Sequence, residues 1–422
     1  MEMIMNFITN SILRNPPVLL GLIAALGLIL QKKGLADIIK GVFLTAFGMV
    51  ILNAGVGMLV GSILPINQAF QAALTQGGGA EGLNDATFTA TFGGEVGLAM
   101  FIGLILHLII ARFTPFKTIF LTGHMIWWFP FIFVAAGVEG GLSGTILVIF
   151  GAVLSALYWS IMPWVLRKYV WAVTEDDSFT LGHPSGMLAL IAGAVAKAAG
   201  NKKKSTEDIA LPKSLSFFRE ISITGGIAIA LMFIIVCLFI PATLPEGQNL
   251  LMFSLSQGLN FGAGLLILLY GVRMLISQIV PAFQGISEKL VPNSIPAFDC
   301  PILFNYKPNA VLIGFLFAMV VSTIMIVIAN SLNVFGVILI PLVITSFFEC
   351  GTAAVIAEGQ GGLRGCIIGT SVAAVCMVGF IGLSAITYAG TIQNWILIFG
   401  GNDFSVFGFL AKLIASLFGM AV

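Results

Sequence analysis

The chain has 422 residues, of which 59% are hydrophobic and 9% charged, and its mean hydropathy is +1.07. A soluble fold of that length has too little polar surface to cover such a composition. A net charge of +1, with basic residues scattered between apolar runs, excludes an electrostatic nucleic-acid interface. The expected fold class is therefore an all-α polytopic membrane protein.

A spanning helix needs about 20 mostly apolar residues. Eleven runs qualify: 16–31, 41–64, 95–111, 118–137, 142–166, 221–241, 250–276, 309–330, 333–348, 366–389 and 404–421. The first follows no short cleavable leader pattern and ends in Lys32 and Lys33. Lysine and arginine fall in every second loop, and the alternate loops 65–94, 138–141, 242–249, 331–332 and 390–403 hold neither. Because cytoplasmic loops retain these residues, the N-terminus is expected outside and the C-terminus in the cytoplasm.

The segment Gly55–Pro65, GVGMLVGSILP, returns 216 positions later as Gly271–Pro281, GVRMLISQIVP, with six identities. An odd number of expected spans separates the copies, so the repeat is expected to be inverted. Transporters built this way place a solute site where the halves meet. The expected organisation is a first membrane half, 1–196, a basic Pro-containing cytoplasmic linker, 197–220, and a second membrane half, 221–422.

Ionisable groups at membrane depth are costly and usually face a cavity or a partner. His107 lies on a uniformly apolar run and reads as structural. His124, in LTGHMIWWF, is followed within one turn by Trp127 and Trp128. An aromatic surface beside an imidazole suits the CH face and hydroxyls of a sugar or polyol, and a helix-packing histidine is the alternative. His183, in FTLGHPSG, sits among Gly182, Pro184 and Gly186, where regular helix is barred. That backbone is either a broken segment inside the protein or the turn of a cytoplasmic loop. Asp299, in IPAFDCPI, and its offset counterpart Asp85, in GLNDATF, are expected in re-entrant segments, with exposed loops as the alternative. Glu95, Glu349, Glu358 and Arg364 read as interfacial, with pairing or the lining of a vestibule as the alternative.

No phosphate loop, metal-ligand spacing or nucleophile elbow is found, so neither cofactor nor bound metal is expected. The glycine-rich runs TQGGGAEG and AEGQGGLRG read as hinges or re-entrant turns. The five cysteines form no CxxC pair and read as small buried residues.

With these segments on the page, the chain resembles the ascorbate-type enzyme IIC permeases of the bacterial sugar phosphotransferase system, in the ascorbate–galactitol superfamily. The resemblance rests on NPPVLLGLIAALGLILQKKGLADIIKG, on LTGH ending at His124, on LGH ending at His183, on GVRMLISQIVPAFQGISEKLVPNSIPAFDC and on KPNAVLIGF. It implies an eleven-span homodimer in the bacterial cytoplasmic membrane, each protomer having a core that carries the solute and a scaffold that makes the dimer. It also implies a cytoplasmic enzyme IIB, charged through an enzyme IIA, whose phosphocysteine phosphorylates the solute. His124, His183 and Asp299 match solute-contacting positions, and Ala86 and Thr87 a further contact. Where the ascorbate permeases carry glutamines this chain has Trp128 and Pro184, and Ala86–Thr87 replace the usual Thr and Tyr. Lost hydrogen-bonding partners change selectivity strongly, so ascorbate and other sugars, polyols or sugar acids all stay open.

The resulting expectation is inward movement of a hydroxylated solute by an elevator-like shift of the core. His124 and Asp299 would hold hydroxyls and Trp128 would form an aromatic wall. His183 would orient the reacting hydroxyl and help remove its proton. The rival is an ion-coupled secondary transporter with Asp299 or Glu95 as proton carrier.

Overall fold

A computed structural model describes residues 11–12, 15–74, 85–209, 220–240 and 244–419. Its helices are α1 (Pro16–Leu30), α2 (Leu35–Leu74), α3 (Asp85–Phe113), α4 (Gly123–Glu139), α5 (Gly144–Thr174), α6 (Gly186–Ala199), α7 (Ile221–Phe239), α8 (Leu250–Lys289), α9 (Pro301–Phe304), α10 (Pro308–Ser331), α11 (Val343–Thr387), α12 (Gln393–Phe399) and α13 (Asp403–Gly419). Among the described residues, six helices are long and apolar enough to cross a membrane: those within α2, α3, α5, α8, α10 and α11. Large apolar side chains stand exposed along them and their neighbours, among them Leu259, Leu238 and Leu417. Lipid solvates such a surface and water does not.

The helices pack in two groups. In the first, α1, α2 and α7 surround α8 across a seam of glycines. A Cβ on Gly55 would lie 2.4 Å from Leu268 N, one on Gly271 2.3 Å from Leu52 N, and one on Gly27 1.9 Å from Ala282 O. Backbone therefore touches backbone, the close approach that small residues permit in membranes. Residues 48, 52 and 55 of α2 meet 275, 271 and 268 of α8 in reverse order, so the helices carrying Gly55 and Gly271 run antiparallel. The second group contains α3, α4, α5, α6, α10, α11, α12 and α13.

Three parallel strands are embedded in this helical body: β1 (Thr118–Phe120), β2 (Thr180–Leu181) and β3 (Ile295–Phe298), ordered β1-β3-β2. Thr118 pairs with Ile295, and Thr180 with Ala297. Both outer strands hang on α5, since Thr118 Oγ1 donates to Ser160 O at 3.1 Å and Thr180 Oγ1 to Pro163 O at 3.0 Å.

Several expected boundaries are corrected. The run 118–137 begins as β1, and helix starts only at Gly123, after the strand has spent its backbone groups on β3. Over 333–342 there is no helix, because Pro341 restricts the chain before Val343. Asn330 meanwhile pairs with both backbone groups of Leu339, at 2.8 and 2.9 Å. The regions 186–199 and 393–399, expected as loops, are helical. The run AEGQGGLRG breaks α11: Gly361 and Gly362 leave helical geometry, Gly362 at φ 60°. TQGGGAEG lies outside the described residues.

Asn201–Ile209 of the expected linker are tied to this break. Asn201 N donates to Gly361 O and Leu363 N to Lys204 O, each at 2.7 Å. Glu358 is buried and paired, the alternative to an interfacial position; its Oε1 accepts from Ser205 Oγ at 2.5 Å and from Thr206 N at 3.1 Å, and Lys307 Nζ lies 3.5 Å from Oε2.

Candidate functional site

Each strand ends in a turn that delivers one polar side chain. His124 follows β1 by four residues, His183 follows β2 by two, and Asp299 follows β3 by one. In parallel sheets ligands collect beyond the carboxyl ends of the strands, and here the three turns converge there. Leu121 N donates to Ala297 O and Gly182 N to Phe298 O, which extends the pairing up to the site. Thr122 Oγ1 donates to Gly182 O at 2.6 Å, tying the His124 turn to the His183 turn. Gly123 has no room for a side chain: its Cβ would lie 2.8 Å from Pro16 Cγ.

His124 Nδ1 lies 3.6 Å from Asp299 Oδ2, and His183 Nε2 lies 3.7 Å from Asp299 Oδ1. Both separations exceed a hydrogen bond, so these groups keep capacity for a ligand hydroxyl. Asp299 Oδ1 also accepts from Cys300 N at 2.7 Å. Ser185 N donates to His183 Nδ1 at 3.3 Å, which leaves the ring proton on Nε2, facing Asp299. Ser185 Oγ lies 3.2 Å from the same nitrogen, so Nε2 is the ring nitrogen turned toward Asp299. His107 lies elsewhere: Phe120 N donates to its Nε2 at 3.0 Å, and its Nδ1 is 2.8 Å from Ser160 Oγ. It latches β1 to α3 and α5.

The loop carrying His183 is held from behind by Asp403, which is fully buried. Asp403 Oδ1 accepts from Met187 N at 2.8 Å, and Oδ2 lies 2.5 Å from the Tyr158 hydroxyl. That hydroxyl is 3.1 Å from His183 O, and Asp403 N donates to Pro184 O at 2.9 Å.

His124, His183 and Asp299 line a cavity of about 400 Å³ between the two helix groups. Pro16, Leu52, Asn53 and Val56 come from the first group, and Trp128, Phe348, Glu349, Trp395, Phe399 and Phe404 from the second. Trp128 stacks on Trp395, with centroids 4.7 Å apart and planes at 28°, and meets Phe131 edge-on. An aromatic wall facing two imidazoles and a carboxylate is suited to a small hydroxylated molecule. A larger cleft of about 510 Å³ between α7 and α8 is lined by apolar residues and Ser222, and carries no ionisable group among its described residues.

Pro184 and Thr87 fall outside the cavity lining. Pro184 is buried behind His183, and Thr87 is exposed on the first turn of α3. Ala86 is in the same turn, its side chain outside the described residues. Asp85 opens α3, Glu95 is half-buried within it, and Arg364 is exposed. Glu349 takes the vestibule-lining alternative and not the interfacial one: it is buried in the cavity wall, where Asn402 donates to it. Trp395 and Phe399 were hidden in a stretch that reads as an external loop; the aromatic content of NWILIF was the available signal.

Sequence spacing offers no metal-ligand cluster, yet the fold assembles a possible one. Donor atoms of His124, His183 and Asp299 all lie within 4.8 Å of one another, a set of two imidazoles and a carboxylate that a divalent cation accepts.

The EIIC-GAT family, described as the PTS system sugar-specific permease component, matches residues 11–403. A protein of Mycoplasma pneumoniae (strain ATCC 29342 / M129 / Subtype 1), named ascorbate-specific PTS system EIIC component, is 26% identical over 447 residues. The alignment covers 91% of this chain, which spans 66% of the length of that relative.

Proposed function

Since this chain belongs to the sugar-specific permease components of the phosphotransferase system, by its match over residues 11–403, we propose that it imports a small hydroxylated solute, ascorbate or a similar sugar or polyol, and presents it to a phosphocysteine enzyme IIB. It is a multi-pass membrane protein and a transport component. Phosphoryl transfer belongs to the separate IIB subunit and to the enzyme IIA that charges it. The observation that carries this reading is the convergence of His124, His183 and Asp299 on a cavity walled by Trp128 and Trp395.

Asp299 accepts solute hydroxyls, and His124 and His183 flank it. His183 Nε2–H orients the hydroxyl that receives the phosphoryl group. The second helix group carries the site and shifts as an elevator against α1, α2, α7 and α8; support comes from the position of the cavity between the groups. The chain forms an eleven-span arrangement with halves 1–196 and 221–422 about the linker 197–220, and the antiparallel seam of the Gly55 and Gly271 helices supports the inverted relation of the halves. The N-terminus is outside, the C-terminus is cytoplasmic, and two protomers form a homodimer through the first helix group.

The test is uptake by membrane vesicles of ascorbate, galactitol and related sugars, with phosphoenolpyruvate and the soluble phosphotransferase components supplied inside. Accumulation of phosphorylated solute that survives dissipation of the proton gradient supports the proposal. Accumulation of free solute that collapses with the gradient would replace it with ion-coupled transport through Asp299 or Glu95. Trp128→Gln and Pro184→Gln variants assayed alongside report whether these two positions set the choice of solute.

A further inference from the structure

Glu349 is a carboxyl group in the cavity wall that the mapped solute residues leave without a role. It lies in the second turn of α11 and is 6% exposed, lining the same cavity as Asp299. Its Oε1 accepts from Asn402 Nδ2 at 2.8 Å, whereas its Oε2 is buried with no hydrogen-bond partner. Buried polar atoms are nearly always paired, and an orphan calls for an explanation.

A structural duty toward Asn402 does not supply one. Asn402 is held independently, donating through Nδ2 to Phe399 O at 3.0 Å and accepting from Phe404 N at 3.1 Å. Most of the wall that Glu349 shares is apolar, with Ile344, Phe348, Trp395, Phe399 and Phe404 beside the polar His124, His183 and Asp299. A carboxyl kept there at a cost to folding is characteristic of a binding site, whose unsatisfied groups are completed by the ligand.

We propose that Glu349 is a solute-binding residue, its carboxyl engaging a hydroxyl distinct from the one held at Asp299. The solute is then gripped through at least two hydroxyls, by carboxyl groups on two different elements, the turn after β3 and helix α11. This rests on the transport reading above and extends it to a polyhydroxylated solute with two separated anchoring hydroxyls.

The test uses the purified full-length protein. Ascorbate, galactitol and related sugars are titrated calorimetrically into wild type, Glu349→Met, Glu349→Gln and Asp299→Asn, and thermal unfolding of each solute-free protein is recorded. Glu349→Met is expected to weaken solute binding at least 30-fold while leaving the unfolding temperature unchanged or raised, because it removes an unsatisfied group. Glu349→Gln is expected to fall between, its amide keeping the Asn402 bond while replacing Oε2 with a donor. Wild-type affinity in Glu349→Met together with lost binding in Asp299→Asn would overturn the role of Glu349 and leave the site standing. Unchanged binding in Asp299→Asn would instead sink the site reading itself. If Glu349→Met also destabilises the solute-free protein, Glu349→Gln decides: binding within twofold of wild type overturns the proposal, and weakened binding in a stable variant supports it.

Discussion

Asp403 does not line the cavity, yet replacing it with alanine should disable the site. Its carboxylate receives Met187 N at 2.8 Å and lies 2.5 Å from the Tyr158 hydroxyl, and both partners flank the loop that presents His183. Leaving a buried donor without its acceptor costs about 1–3 kcal/mol, so two lost bonds amount to about 2–6 kcal/mol. Tyr158 recovers part of this, since its hydroxyl already lies 3.1 Å from His183 O and turns to it, returning about 1 kcal/mol. The expected destabilisation is therefore about 1–5 kcal/mol. Rotation of Tyr158 onto His183 O and release of the α6 N-terminus together move the imidazole away from Asp299. Asp403→Asn keeps an acceptor for Met187 N and should lose less; Tyr158→Phe, losing one bond, less again. Thermal unfolding of the purified protein reads stability, and calorimetric titration of the transported solute reads the site. The order Ala, Asn, Tyr158→Phe in decreasing damage is expected in both. Wild-type solute affinity in Asp403→Ala, with unfolding unchanged, would refute the claim that this carboxylate positions His183.

Gly271→Ala drives a Cβ to 2.3 Å from Leu52 N, which no side-chain rotation relieves. Overpacking costs about 1–3 kcal/mol, and an unchanged unfolding temperature would contradict the backbone contact between α2 and α8. Gly362→Ala places a side chain at φ 60° with its Cβ 2.4 Å from Lys204 O, so the break in α11 should re-form differently. Uptake is expected to fall at least tenfold with solute affinity within threefold, and equal losses in both would show that the break serves the site and not the movement. If His124, His183 and Asp299 hold hydroxyls directly, exhaustive chelation should leave solute binding intact and added zinc should compete with solute. Binding abolished by chelation and restored by zinc would reassign the three groups as metal ligands.

Much of the membrane architecture was legible in the chain because lipid imposes a local rule. A segment in hydrocarbon must satisfy its own backbone and present apolar side chains over about 20 consecutive residues. The runs 16–31, 41–64, 95–111, 250–276 and 309–330 accordingly fall on α1, α2, α3, α8 and α10. The same rule is silent about what an apolar surface touches. The residues of α4, nearly all buried inside the protein, read like a lipid-facing span.

The histidines and Asp299 stood out individually, as polar residues in apolar surroundings, but their meeting is a tertiary fact. It depends on strands of three, two and four residues, too short to show periodicity and paired across more than a hundred positions of chain. Trp395 escaped for the same reason, as an ordinary residue in its own segment, and Glu349, noticed as an ionisable group, had nothing in its segment to say that it shares a cavity with Asp299. Composition and apolar run length thus determined by themselves that the chain crosses a membrane and where many of its helices lie, since those constraints act within one segment. Which polar groups share a cavity was decided only when β3 inserted between β1 and β2 and α11 packed beside them, since that depends on contacts between segments that the order of residues does not display.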